Sequence, residues 1–272
     1  MDRPKEIYGV DFSGAADAGN KIWVAKGLDD GESLIIEQCV MGFELPGSGK
    51  ERKACLRALA VFVEDRPFAV MGFDFPFGLP GLLVRQRNWA SFVSVFPTLY
   101  KDPDHFKETC FEEAGKRELK RATDTLARTP FASYNRRVYK QTYFGVTEIL
   151  RPLVRRDSCR VLPMQDPASG KPWLMEICPA STLKALGLYH IPYKGKEIKH
   201  RQGRKRILES LSKTVPFRLE DRDLEKRVLA NPGGDALDAV IAAAGTFRAL
   251  RREDLFAPQE GSRWRVEGYV YA

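Results

Sequence analysis

Residues 68–75 read F-A-V-M-G-F-D-F, eight positions of which only Asp74 is charged. A run this apolar and this short, held between Pro67 and Pro76, is the pattern of a strand buried on both faces. Such a strand lies inside a sheet and needs other layers above and below it. That commits the chain to an α/β arrangement.

The residues before this run supply more of the sheet. The stretch 6–12 (E-I-Y-G-V-D-F) is β-rich and ends in the turn signal Ser13-Gly14-Ala15; 21–28 and 33–41 follow, the last entered through Asp29-Asp30-Gly31. Three strands on short connections predict an antiparallel meander. In 49–65, Leu56, Leu59, Ala60 and Val63 share one face of a helix. The stretch 82–163 carries aromatic and basic residues and no clean strand pattern; it is expected to be a helical insertion or cap, with helices over 104–127 and 143–154. Residues 173–178 (W-L-M-E-I-C) predict a second buried strand, and Pro179-Ala180-Ser181-Thr182 opens a helix through Leu183, Leu186 and Leu188. Further helices are expected over 201–213 and 235–250, the latter rich in alanine and able to bring its backbone close to a sheet. Residues 263–271 are read as a last strand. The order predicts one domain over residues 1–272, with a mixed sheet of three antiparallel and then parallel strands flanked by helices.

A carboxylate inside an apolar run must be compensated, because an unpaired buried charge is resisted by several kcal/mol. Four places in this chain raise that question. Asp11 ends the first strand, Asp74 ends the buried strand between two phenylalanines, and Glu176 sits between Met175 and Ile177. Asp235 and Asp238 stand three apart at the start of an apolar helix and so share a face. Local explanations exist for each: a turn bond for Asp11, a strand end for Asp74, a basic partner from the helical stretch for Glu176, a first-turn acid for Asp235. A common explanation covers all five, since Mg²⁺ or Mn²⁺ takes hard oxygen ligands on rigid platforms. A pair of such ions can activate water against a phosphodiester.

The formal net charge of +8 permits an anionic partner. Two stretches carry the excess. Twelve Lys or Arg stand against four acids over 116–160, and seven stand against Glu197 alone over 194–206. Solvated helix faces and a surface that tracks phosphates explain these runs equally well. The aromatics among the first set (Phe131, Tyr134, Tyr139, Tyr143, Phe144) suit either stacked bases or core. Five dispersed cysteines without a C-x-x-C pair read as reduced core thiols in a cytoplasmic protein. No apolar run approaches a membrane span, and the first residues lack the apolar segment of a secretory signal. Three histidines with no zinc-like spacing argue against zinc hydrolysis, and the missing G-x-S-x-G argues against acyl transfer.

Four stretches, Y-G-V-D-F-S-G-A (8–15), G-F-D-F-P-F-G-L-P (72–80), E-I-C-P-A-S-T-L-K-A-L-G-L (176–188) and G-D-A-L-D-A-V-I-A-A (234–243), resemble domain-of-unknown-function family 429, predicted nucleases of RNase H-like fold. The trailing E-G-Y-V (267–270) is similar too. The resemblance implies a three-strand meander, a central parallel part and a C-terminal acidic helix similar to that of Holliday-junction resolvases. It implies Asp11, Asp74, Asp235 and Asp238 as metal ligands and Glu176 as a further catalytic member. The leading expectation is therefore a Mg²⁺- or Mn²⁺-dependent nuclease acting on DNA or RNA. A nucleotide-dependent phosphotransferase or ATPase of the actin-like group, with V-D-F-S-G-A cradling a phosphate, is the second. A non-catalytic nucleic-acid-binding protein is the third.

Overall fold

The Asp29–Gly31 turn closes as its residues dictate. Asp29 and Asp30 side chains accept from the Gly31, Glu32 and Ser33 amides, and Gly31 takes a φ of 100° that side chains other than glycine disfavour. The strands it joins are β2 (Trp23–Asp29) and β3 (Leu34–Met41), and β2 also pairs antiparallel with β1 (Glu6–Asp11). The structure is a computed structural model and describes residues 4–252 and 263–272.

The buried run forms β4 (Ala69–Phe73), parallel to β1. Next come β5 (Arg160–Leu162), β6 (Trp173–Ile177), β7 (Phe217–Leu219) and β8 (Val270–Tyr271). The sheet order is β5-β6-β4-β1-β2-β3-β7, with β8 added to β6. Among the described strands, only β2 runs antiparallel to its neighbours.

Helices cover both faces. One core gathers Tyr8, Val10, Phe12, Met71, Phe73 and Leu174 with α1 (Arg52–Glu64), α2 (Trp89–Leu99) and α3 (Pro103–Glu113). The short α4 (Ala122–Leu126) follows. Then α5 (Tyr139–Phe144), a π-helical turn over Gly145–Leu150 and α6 (Arg151–Arg155) run on without a break. The other core gathers Ile7, Trp23, Val70, Trp173, Met175 and Ile177 with α7 (Pro179–Ala185), α8 (Ile198–Thr214), α9 (Arg222–Ala230) and α10 (Asp235–Leu250). A turn of helix, α11 (Trp264–Glu267), precedes β8. No helix among the described residues is long and apolar enough to cross a membrane. All five cysteines are free, four of them buried.

Three sequence expectations need correction. The helix expected over 104–127 ends at Glu113, because Gly115 and Lys116 take left-handed φ values of 69° and 59°. The strand expected over 263–271 is α11 and only then the two-residue β8, with Gly268 at φ 88° turning the chain between them. β5 falls inside the stretch 82–163, expected to be a helical insertion or cap without a strand pattern; at three residues it is too short to display alternation.

Candidate functional site

Side chains alternate along a strand, so Gly9 and Asp11 share one face of β1, and Gly72 and Asp74 share one face of the chain at β4. Gly9 and Gly72 are register partners. A Cβ on Gly9 would overlap the Ala239 carbonyl and the Ala243 amide; one on Gly72 would overlap the Thr246 hydroxyl and Ile177. The two glycines therefore form a shallow trough in which the alanine-rich face of α10 lies against the sheet. Asp11 and Asp74 are the next residues on that same face, at the strand ends, and the first turn of α10 hangs over them. The Asp74 amide donates to the Val10 carbonyl at 2.9 Å, which keeps the two strand ends in step.

Asp235 is the first residue of α10, after Gly234 in the left-handed conformation (φ 84°). Asp238 lies one turn on and is 3% exposed. Asp11, Asp74, Asp235 and Asp238 all line one pocket of about 690 Å³, a size usual for a small-ligand site. The structure thus brings these four sequence candidates together. A larger hollow of about 1320 Å³, lined by Tyr8, Lys26, Phe62 and Trp173, contains none of them.

Within the pocket the aspartates are treated unequally. Asp238 Oδ1 accepts from the Tyr193 hydroxyl at 2.8 Å, and its Oδ2 faces the Lys194 ammonium at 2.7 Å. Asp11, Asp74 and Asp235 make no side-chain hydrogen bond or ion pair among the described residues. Burial, and then the charges of Asp238, Asp74 and Asp235, hold the Asp11 carboxyl well above the usual range. Burial and Asp238 push Asp74 up to about 8, with Lys194 opposing. Burial raises Asp238 as well, again against Lys194. The Lys194 ammonium opposes the rise at all three. Among the described residues, no three His, Cys, Asp or Glu side chains already stand as a metal-holding cluster; Lys194 and Tyr193 occupy the oxygens that Asp238 would offer.

Glu176 lines the same pocket but points the other way. Its neighbours Met175 and Ile177 belong to the α10 side, whereas Glu176, in register with Phe73, faces the helical stretch. Both its oxygens are engaged. Arg121 donates to Oε1 at 2.5 Å and to Oε2 at 2.8 Å, and the Phe77 amide donates to Oε2 at 2.9 Å. Arg121, 1% exposed, also grips Asp124 through two nitrogens. Of the explanations open for Glu176, the geometry is that of a basic partner from the helical stretch. It joins that stretch to β6, and the Glu267 carboxylate adds bonds to the Gly81 and Ala122 amides.

The sequence reading missed Tyr193 and Lys194. Neither lies on a regular element, and Lys194 is the first of a run of cations with nothing local to single it out. A close approach brings them in. A Cβ on Gly203 would overlap the Pro192 carbonyl, and Arg204 Nη1 donates to the Tyr193 carbonyl at 2.6 Å. Of the five aromatics noted for possible stacking, Tyr134 and Tyr143 are core and only Phe131 lines the pocket; Tyr189 and Tyr193 line it too. The remaining cations at its wall are Lys21, Arg121 and Arg137.

Among known families, the description "Protein of unknown function (DUF429)" matches residues 9–261. No curated protein and no solved structure matches the chain.

Proposed function

This chain belongs to the DUF429 family, and on that footing we propose that its carboxylate pocket hydrolyses nucleic-acid phosphodiesters with the help of Mg²⁺ or Mn²⁺. One observation carries the reading: Asp11, Asp74, Asp235 and Asp238, from three separated parts of the chain, line one pocket, and burial among neighbouring carboxylates raises the proton affinity of Asp11, Asp74 and Asp238 against the opposing Lys194 ammonium. Converging carboxyl groups, three of them without a hydrogen-bond or ion-pair partner among the described residues, are what a hard divalent cation binds. The sheet supports the RNase H-like assignment, since the order β3-β2-β1-β4-β6 with β2 antiparallel is a meander continued by parallel strands.

In this reading Asp11, Asp74, Asp235 and Asp238 would hold the cation, which when bound would supply an activated water and neutralise charge on the phosphate. The chain's own groups do the rest. The ends of β1 and β4 and the first turn of α10 fix the carboxylates on rigid elements. Lys194, more than half exposed, exchanges Asp238 for a substrate phosphate oxygen. Glu176 is a positioning residue, which keeps Phe77 and Arg121 in place behind the β4 end.

The test is cleavage of labelled DNA and RNA with Mg²⁺ or Mn²⁺ by the wild type and by Asp11→Asn. A loss of about a hundredfold or more is expected on removing a ligand of the centre. Equal cleavage by both proteins, or none by either, overturns the reading.

A further inference from the structure

The second basic run does not end at the pocket. From Lys194 at the wall the chain passes Lys196 and enters α8, whose apolar face, Ile207, Leu208 and Leu211, is buried in the core. The rest of the helix surface exposes Lys199, Arg201, Lys205 and Arg206. Two of these have acid partners, Lys199 with Glu197 and Lys205 with Glu209; Lys196, Arg201 and Arg206 enter no ion pair among the described residues. The outward face therefore keeps a positive surplus along its first half.

Arg204 is the exception on this helix. It is buried, and donates to the Leu229 carbonyl at 2.9 Å and to the Tyr193 and Gly195 carbonyls at 2.6 and 3.2 Å. This cation thus ties α8 to the loop that places Lys194 on Asp238. The exposed cations and the carboxylate pocket are parts of one rigid unit rather than independent patches.

We propose that α8 is the docking surface for the duplex part of a nucleic-acid substrate, next to the pocket where its scissile phosphate is held; this rests on the nuclease reading of that pocket. Length and chemistry both select this partner. The cations from Lys199 to Arg206 span about 11 Å of the helix, the reach of roughly three consecutive phosphates along one strand, which a nucleoside monophosphate does not offer. The exposed positions of α8 include no Phe, Tyr or Trp, so the surface can neutralise a backbone but cannot stack unpaired bases. Aromatics are found instead in the pocket, as Phe131, Tyr189 and Tyr193.

The experiment compares the full chain with the triple variant Arg201→Gln, Lys205→Gln, Arg206→Gln. A control variant removes three exposed cations elsewhere: Arg57→Gln, Arg87→Gln, Lys101→Gln. Binding of a labelled 30-base-pair duplex and of its single strand is measured against salt without divalent cation, so that nothing is cleaved. Hydrolysis of bis(p-nitrophenyl) phosphate with Mn²⁺ reports the pocket alone. The α8 variant is expected to lower the salt slope for the duplex by about 2 to 3, at about 0.9 for each phosphate that is no longer neutralised, and to leave hydrolysis of the small diester unchanged. An equal fall in the control variant, an unaltered slope, or tighter binding of the single strand overturns the docking surface. Absent diester hydrolysis in the wild type would instead count against the pocket reading, which separates the two failures.

Discussion

Asp74 ends a strand that is otherwise apolar, and its environment makes it a proton-holding group. With its proton affinity raised to about 8, it stays protonated in the folded chain between about pH 4, where an ordinary aspartate ionises, and that value. The unfolded chain releases the proton across this window, so the cation-free protein loses stability as pH rises from about 4 to 8. Asp74→Asn removes the titration: its melting temperature, followed by calorimetry without divalent cation, should fall less over that range than the wild type's. Parallel curves would contradict the assignment. Lys194 makes a second case, because its ammonium stands where a cation would meet Asp238. Lys194→Met should tighten Mn²⁺ binding roughly three- to fivefold, the equivalent of about 1 kcal/mol for an ion pair whose ammonium is more than half exposed. Titration calorimetry reads this directly, and weaker binding would mean that the lysine supports the site rather than competing for it.

At the scale of elements, the site depends on how near α10 comes to the sheet. Gly9→Ala puts a methyl group into the backbone of α10 at Ala239 and Ala243, and overpacking of this kind costs about 1–3 kcal/mol. Urea unfolding should register that destabilisation, together with weaker Mn²⁺ binding as the first turn of α10 lifts from Asp11. Gly49→Ala, whose new Cβ meets only the Ala54 methyl at 3.4 Å, should change neither. Much of this is legible in the sequence. The repeated spacing of glycine two residues before aspartate, at Gly9 with Asp11 and Gly72 with Asp74, places each pair on one face through strand alternation alone. The side taken by Glu176 is not legible, because it depends on the register between β4 and β6, and that pairing is long-range. Tyr193 and Lys194 are hidden for a related reason: they reach Asp238 through the approach of Pro192 to Gly203 and of Arg204 to the loop, which no local pattern announces.

For the molecule as a whole, the apolar run 68–75 and the turn chemistry of the meander are enough to indicate a mixed sheet between two helical layers. What composition could not reveal is how the charge is divided. Of the first basic stretch, Arg121 is sealed inside with Glu176 and Asp124, while the second reaches solvent along α8 beside the acidic pocket. Positive exterior and acidic pocket meet at Lys194, and the chemistry open to the pocket depends on what its carboxyl groups bind. The most direct measurement is a crystal of the protein soaked in Mn²⁺ and examined for anomalous scattering. The predicted result is a peak within ligand distance of carboxylate oxygens from Asp11, Asp74 and the Asp235–Asp238 turn, with the Lys194 ammonium displaced from Asp238. A fully soaked crystal with Mn²⁺ only at surface sites, and Lys194 still paired with Asp238, would contradict it.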